Sequence, residues 1–122
     1  VKKKANHLFV YGTLMGQLNS SQFRFVGRDT IGGKMFNLGA FPGIILEDSG
    51  VIHGELYEIL DESGIPPLDR YEGYNPSNLP GSLYTREVAT TAEHNTECYV
   101  YQYNRNRRDS DRQIPSGDWR NR

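Results

Sequence analysis

Two short stretches of the 122-residue chain place reactive groups where chemistry could follow. The first is Tyr11-Gly12-Thr13-Leu14-Met15-Gly16, directly after the apolar run His7-Leu8-Phe9-Val10-Tyr11. A glycine-flanked turn at a strand end exposes consecutive backbone N–H groups, and such a nest binds carboxylates or oxyanions without a charged side chain. A plain strand-to-loop turn would use the same residues. The second stretch is Leu68-Asp69-Arg70-Tyr71-Glu72-Gly73-Tyr74. With Gly73 as a helix stop, Leu68 and Tyr71 are three apart and Leu68 and Glu72 four apart, so Glu72 shares the apolar face of a helical turn. A carboxylate aimed inward is desolvated, its pKa rises, and it becomes a general base near neutral pH. A helix-end Glu turned to water satisfies the same spacing.

Other chemistries lack their residues. Gly27 to Lys34 has the outline of a phosphate loop, but the spacing is one residue too long, and Met35 stands where a magnesium-binding hydroxyl belongs. His53-Gly54-Glu55 has the His-x-Glu spacing of a zinc deaminase without the Pro-Cys-x-x-Cys that completes it. His7, His53 and His94 are far apart, and a lone strand histidine reads as packed or solvated. Cys98, the one cysteine, excludes an internal disulfide and reads as a small core residue between Glu97 and Tyr99. No Gly-x-Ser-x-Gly occurs.

The elements that would position the two stretches are mostly strands. His7–Tyr11 is a short buried strand ending at Gly12. Phe23–Ile31 is a second, stopped by Gly32-Gly33, and Lys34–Leu38 a third. Phe41-Pro42-Gly43 signals a turn. Val51–Leu60 alternates, with Gly54 marking a bulge or a close backbone approach. Asp61–Tyr71 is the helix candidate, with Pro67 in its first turn. Tyr74–Gly81 is a loop, and Leu83–Thr91 and Glu97–Tyr103 are strands rich in Thr, Val and Tyr. From Asn104 onward the chain is polar. The expected class is α+β, a curled or barrel-like sheet with short helices.

Composition fits one domain of globular type: 36% hydrophobic, 24% charged, with 8 Tyr, 5 Phe and 1 Trp to fill a core. No apolar run approaches the ~20 residues of a membrane span, and Val1-Lys2-Lys3-Lys4 precedes no apolar signal segment. The expected address is cytoplasmic, with no membrane partner. Charge is uneven. Lys2 to Lys4 and an Arg-rich stretch from Arg105 are basic, whereas residues 5–104 hold five basic against twelve acidic side chains. An acidic body argues against nucleic acid as a partner; polyanion binding through the basic ends would have to disappear on trimming them.

Six short motifs occur in order: Tyr11-Gly12-Thr13-Leu14, Phe41-Pro42-Gly43, Gly54-Glu55-Leu56-Tyr57, Leu68-Asp69-x-x-Glu72-Gly73, Tyr84-x-Arg86 and Gly117-Asp118-Trp119. Together they resemble the γ-glutamylcyclotransferase superfamily, in particular its small AIG2-like and YtfP-like branch. The resemblance spans residues 7–119, one domain between a basic extension at 1–6 and an end at 120–122. It implies a small mixed β-barrel with short flanking helices and a cavity at one mouth. It implies Tyr11, Gly12, Thr13 and Leu14 as the substrate loop and Glu72 as catalytic acid/base. The reaction implied is cyclisation of a γ-glutamyl group by its own α-amine, giving 5-oxoproline and a free amine, with no metal or cofactor. The same resemblance implies Tyr84 at the cavity and Arg86 on a substrate carboxylate or a buried acid; a surface ion pair is the other reading of Arg86. The substrate would be a γ-glutamyl amine, or a γ-glutamyl amino acid if Arg86 points into the pocket. A binding module that keeps the pocket without turnover is the alternative. Trp119 is expected to pack on the barrel and to tether residues 105–112. Residues 74–81 are longer than is usual in the branch and are expected to act as a lid or to reshape the leaving-group pocket. The assembly expected is a monomer or weak homodimer.

Overall fold

The computed structural model describes residues 4–108 and 111–122; Lys2 and Lys3 of the basic extension and residues 109–110 of the Arg-rich stretch lie outside them. In chain order the elements are β1 (His7–Val10), β2 (Phe23–Asn37), β3 (Pro42–Ile59), a 3-10 turn (Glu62–Gly64), α1 (Ile65–Tyr71), β4 (Tyr84–Thr90), β5 (Glu97–Tyr103), β6 (Arg112–Ile114) and a final 3-10 turn (Trp119–Asn121). Among the described residues six strands form one sheet, ordered β4-β5-β1-β3-β2-β6. β1 runs parallel to β5 and antiparallel to β3, so the sheet is mixed. A strand flanked on both sides and covered on both faces is apolar throughout; Leu8, Phe9 and Val10 are all buried.

The sheet curls into a half-barrel, and the long β2–β3 hairpin makes the curl. Gly32-Gly33 does not end a strand, as the sequence predicts; β2 runs through it. The break falls in register instead. Gly32 pairs with Val51 but Gly33 pairs with Leu46, so residues 47–50 bulge out of β3. Gly33 and Gly50 have φ of 152° and 83°, and a Cβ on Gly33 would lie 2.5 Å from the Ile45 oxygen. Only glycine allows this crossing, and the bulge bends the hairpin there. Pro42 and Gly43, expected in a turn, instead open β3, a position where proline's missing donor does no harm; the turn lies just before, where Leu38 N–H donates to Phe41 O at 3.1 Å.

The bent end of β3 comes back over β4 and β5. Leu46 N–H donates to Gln102 Oε1 (2.8 Å), and the Tyr84 hydroxyl donates to Pro42 O (2.6 Å). The half-barrel is closed by side chains here, and the hollow beneath them is the site. The C-terminal segment seals another side. Trp119 is buried, and His53 N–H donates to Gly117 O (2.8 Å). Arg105 and Arg108 donate to Gly81 O and Leu38 O, both at 3.2 Å, so this polar stretch is tied down. Strand β6, too short to show periodicity, pairs with the end of β2. Cys98 is fully buried beside the Ala89 carbonyl, and burial pushes its thiol up to about 12.

Gly54 is a close approach. A Cβ there would strike the Val10 carbonyl oxygen and come 2.6 Å from the Phe9 ring. We expect Gly54→Ala to lower unfolding free energy by ~2 kcal/mol in urea titration, because backbone oxygen cannot swing aside. An unchanged midpoint would show that β1 and β3 have slack at this crossing.

Candidate active site

The loop after β1 is held from below. The Tyr11 side chain points into the core and its hydroxyl donates to Tyr101 O at 2.6 Å. Glu55, buried on β3 opposite Val10, accepts from Gly16 N–H at 2.6 Å and from the Tyr57 hydroxyl at 2.9 Å. Arg120 reaches its other oxygen at 3.6 Å. Gly54-Glu55-Leu56-Tyr57 therefore anchors the far end of the loop. Within it, Met15 N–H donates to Gly12 O and Gln17 N–H to Leu14 O. Among the described residues no protein acceptor takes the Thr13 or Leu14 N–H outside regular strand pairing. Donors left in this way at a turn form an anion-accepting concavity.

Glu72 closes helix α1. Its N–H returns to Leu68 O at 2.9 Å, Gly73 N–H donates to Arg70 O at 3.1 Å, and Tyr74 N–H donates to Asp69 O at 2.8 Å. With Gly73 at φ 68° this is a Schellman termination. It stops the chain with Ile65, Leu68, Asp69 and Glu72 on one face, of which Ile65 and Leu68 are buried. Tyr71, expected beside Leu68 on the apolar face, is 64% exposed instead. It stands at the rim, its hydroxyl 3.5 Å from Thr13 Oγ1 across the gap.

One cavity of about 170 Å³ brings the two stretches together. Gly12, Thr13, Leu14 and Glu72 line it, with Tyr11, Phe41, Pro42, Tyr84 and Tyr101 among the remaining walls. Among the described residues no Lys, Arg or His lines it, and Glu72 is its one carboxylate. Among the described residues no hydrogen bond or ion pair engages the Glu72 side chain. Burial pushes its pKa up to about 7. The buried hydroxyls of Tyr11, Tyr84 and Tyr101 are raised well above the usual phenol value, chiefly by desolvation, and the Glu72 charge adds to each. They remain neutral donors, committed to protein oxygens.

Arg86 is elsewhere. It is not part of the cavity wall, so it meets no carboxylate of a bound molecule there. Its Nη1 lies 2.9 and 2.8 Å from the two Asp69 oxygens, between the rings of Tyr99 and Tyr74. Asp69 also accepts from the Tyr101 hydroxyl at 2.7 Å. Of the sequence-predicted site residues, Tyr11, Gly12, Thr13, Leu14, Glu72 and Tyr84 meet at the cavity, and Arg86 does not. Residues 74–81, expected to act as a lid or to reshape the leaving-group pocket, are not among the residues lining the wall; Ser82, Asn104 and Arg105 tie them down at Asn78 O, Leu79 O and Gly81 O. Asp69, Glu55 and Tyr101 were legible only as motif letters or strand residues without a role.

This arrangement has relatives. The family model for gamma-glutamyl cyclotransferase, AIG2-like, matches residues 8–121. The chain belongs to that family. The solution structure of YtfP from Escherichia coli is similar at 30% identity, covering 93% of this chain and 95% of that one, with a TM-score of 0.69. An AIG2-like protein from Mus musculus is similar at 28% identity over 82% of this chain and 78% of that one, TM-score 0.60. The uncharacterized protein PH0828 from Pyrococcus horikoshii shares the fold at 22% identity, covering 93% and 88%, TM-score 0.69. Among curated proteins none matches. Membership of this family supports an activity of the γ-glutamylcyclotransferase kind. No helix among the described residues is long and apolar enough to cross a membrane.

A raised carboxylate pKa favours the folded state only while the group stays protonated. Glu72 therefore contributes fully below its unfolded value near 4.5, and that contribution is lost as pH rises through about 7. Glu72→Gln should match wild type in stability at pH 4 and exceed it at pH 8 by roughly 1–3 kcal/mol, discounted for partial exposure. Thermal melts across this range would show the gap opening between pH 4.5 and 7; a constant gap would place Glu72 in water.

Proposed function

We propose that this protein cyclises a γ-glutamyl amine, releasing 5-oxoproline and a free amine, with Glu72 as general acid/base. The observation that carries the reading is one solitary carboxylate, raised toward neutrality, lining the same small cavity as the Gly12–Leu14 loop, with no cation among the described residues of its wall.

Nucleophile and electrophile belong to one substrate, so no protein nucleophile is needed. The cavity holds about the volume of five or six waters, which suits a folded γ-glutamyl head and little more. Holding the α-amine against the γ-carbonyl is worth roughly 7–11 kcal/mol when the geometry is good. The ionised Glu72 takes a proton from the substrate ammonium. The freed amine attacks the γ-carbonyl carbon and the five-membered ring closes. Amides of Gly12 to Leu14 bind the substrate carboxylate or the oxyanion that develops on the former carbonyl. Glu72 then delivers its proton to the departing nitrogen, the C–N bond breaks as the oxyanion collapses, and the second proton of the ring nitrogen passes through the same carboxylate to the freed amine, which leaves as an ammonium. A carboxyl near pKa 7 is suited to both transfers.

The leaving amine departs past Phe41 and Tyr71 at the rim, which offer apolar surface and no cation. Arg86, committed to Asp69, leaves an α-carboxylate on that amine unanswered. This favours alkyl amines, such as the side-chain amine in γ-glutamyl-lysine, over γ-glutamyl amino acids. A module that only binds would gain nothing from burying an unpaired carboxylate, which favours turnover.

Release of 5-oxoproline from a panel of γ-glutamyl amines and dipeptides tests this. We expect Glu72→Gln to cut kcat by ~10² or more with the fold retained, and the pH–rate profile to show an ionisation near 7. Equal turnover by the Gln variant would remove Glu72 from the chemistry. γ-Glutamyl alkylamines should exceed γ-glutamyl amino acids by ~10-fold in kcat/KM, the loss set by one carboxylate left unpaired against the apolar rim; the reverse order would require a cation that the described wall does not have.

A further inference from the structure

Helix α1 has seven residues, starts with two prolines in its first turn, and has no side-chain cap at its N-terminus. Alone it would be marginal, yet its last turn must hold Glu72 still. Asp69 stands three residues before Glu72 on the same face, and side chains at that spacing are neighbours, with Cβ atoms about 5–6 Å apart. Arg86 of β4 meets both oxygens of Asp69, and the pair is largely buried, at 20% and 17% exposure. The guanidinium lies 4.6 Å from the centre of the Tyr99 ring and 5.6 Å from that of Tyr74, so it is gripped by β5 and by the chain just past the helix. Tyr101 donates its hydroxyl to Asp69 and accepts from Tyr11 at its carbonyl. One residue of β5 is thus tied to the helix that carries Glu72 and to the start of the amide loop.

We propose that the Arg86–Asp69 pair is the positioning device of the site, locking the end of α1 to the sheet so that Glu72 faces the Gly12–Leu14 amides, and cancelling the charge that Asp69 would otherwise set beside Glu72. The proposal rests on the reading of Glu72 as the acid/base. Arg86 is a positioning residue and touches no reacting atom. The groups nearest Glu72 are Asp69 and Tyr71 on its own helix and, on the cavity wall, Tyr11, Thr13, Tyr84 and Tyr101; Arg86 of β4 stands outside that wall and reaches the helix through Asp69. Of these, Asp69 and Arg86 alone carry full charge at neutral pH, with opposite sign. Removing either unbalances the other, and in opposite senses.

The test uses Asp69→Asn, Arg86→Gln and the double variant in the full chain. Asn keeps an oxygen for the Tyr101 hydroxyl, so little packing is lost. The first readout is the titration of the Glu72 carboxyl by carbon NMR without substrate. Asp69→Asn leaves Arg86 unanswered and should lower the midpoint by about 0.5–1 unit; Arg86→Gln leaves Asp69 unanswered and should raise it by a similar amount. The double variant should return it to the wild-type value. The second readout is 5-oxoproline release: both single variants and the double variant should lose ~10-fold or more in kcat, since restored charge balance does not restore alignment. Arg86→Lys keeps the charge, and because one Arg86 nitrogen meets both carboxylate oxygens, it should keep the midpoint within about 0.3 unit of wild type. Midpoints that stay put, or that move in the same direction in both single variants, overturn the proposal, as does a kcat within twofold of wild type in all three. A wild-type protein that turns over no γ-glutamyl compound would overturn the cyclisation reading instead; the titration would still decide whether the pair governs Glu72.

Discussion

Desolvation of Glu72 without a counter-cation is the constraint that the rest of the site serves. A carboxylate taken out of water either finds donors, pairs with a cation, or holds its proton to higher pH. Here the buried wall phenols of Tyr11, Tyr84 and Tyr101 have spent their hydrogens on Tyr101 O, Pro42 O and Asp69, and the Arg86 guanidinium is turned to Asp69. The group is left to respond through its pKa. That makes it useful near neutrality, and it also makes the hollow a strained feature that the surrounding packing must stabilise. Functional sites commonly carry such local instability.

The stabilising structure is spread over elements far apart in the chain. The β2–β3 hairpin bends at Gly33 and Gly50 and brings Phe41 and Pro42 over the hollow. Tyr84 fixes that roof through the Pro42 carbonyl. Glu55 and Arg120 hold the loop end at Gly16, so the C-terminal segment, where Trp119 is buried, braces the loop through Arg120. Two kinds of acid therefore coexist within one small domain. Glu55 and Asp69 are held by several donors each and serve as struts, and Glu72 is held by none among the described residues. The distinction lies in the partners each one meets, since all three sit in strand or helix positions that look equally polar in one dimension.

Family membership and geometry contribute separately. The family carries the general reaction type, and the neighbouring structures carry the fold. The charge content of the walls bears on which γ-glutamyl compound suits this chain. For the cyclisation proposed above, a cavity with aromatic rims and no basic side chain among the described residues would select by shape and apolarity at the leaving end, and by amide donors at the other.

Much of this was legible in one dimension wherever the signal was local. Gly73 after an apolar helical turn marks a left-handed stop, and the stop sets Glu72 at the helix end. The run Leu8-Phe9-Val10 marks a strand covered on both faces, and β5 falls where Thr, Val and Tyr are dense. Gly54 in an alternating strand was readable as a bulge or a close approach, and the Val10 carbonyl and Phe9 ring packed against it make it the second. What the chain could not disclose by itself depended on partners distant in sequence. Arg86 could answer a substrate, a surface acid or a buried one, and the fold of α1 against β4 and β5 decided for Asp69. Gly32-Gly33 resembles a strand end locally, but a four-residue bulge from the other strand turns it into a bend. Tyr71 has helical spacing with Leu68, yet the helix stops so soon that its last turn overhangs the cavity, and the ring falls outside. Local backbone preference and burial pattern are properties of neighbouring residues; which acid meets which cation, and which is left alone, is settled only when residues 17 to 90 positions apart close around a common space.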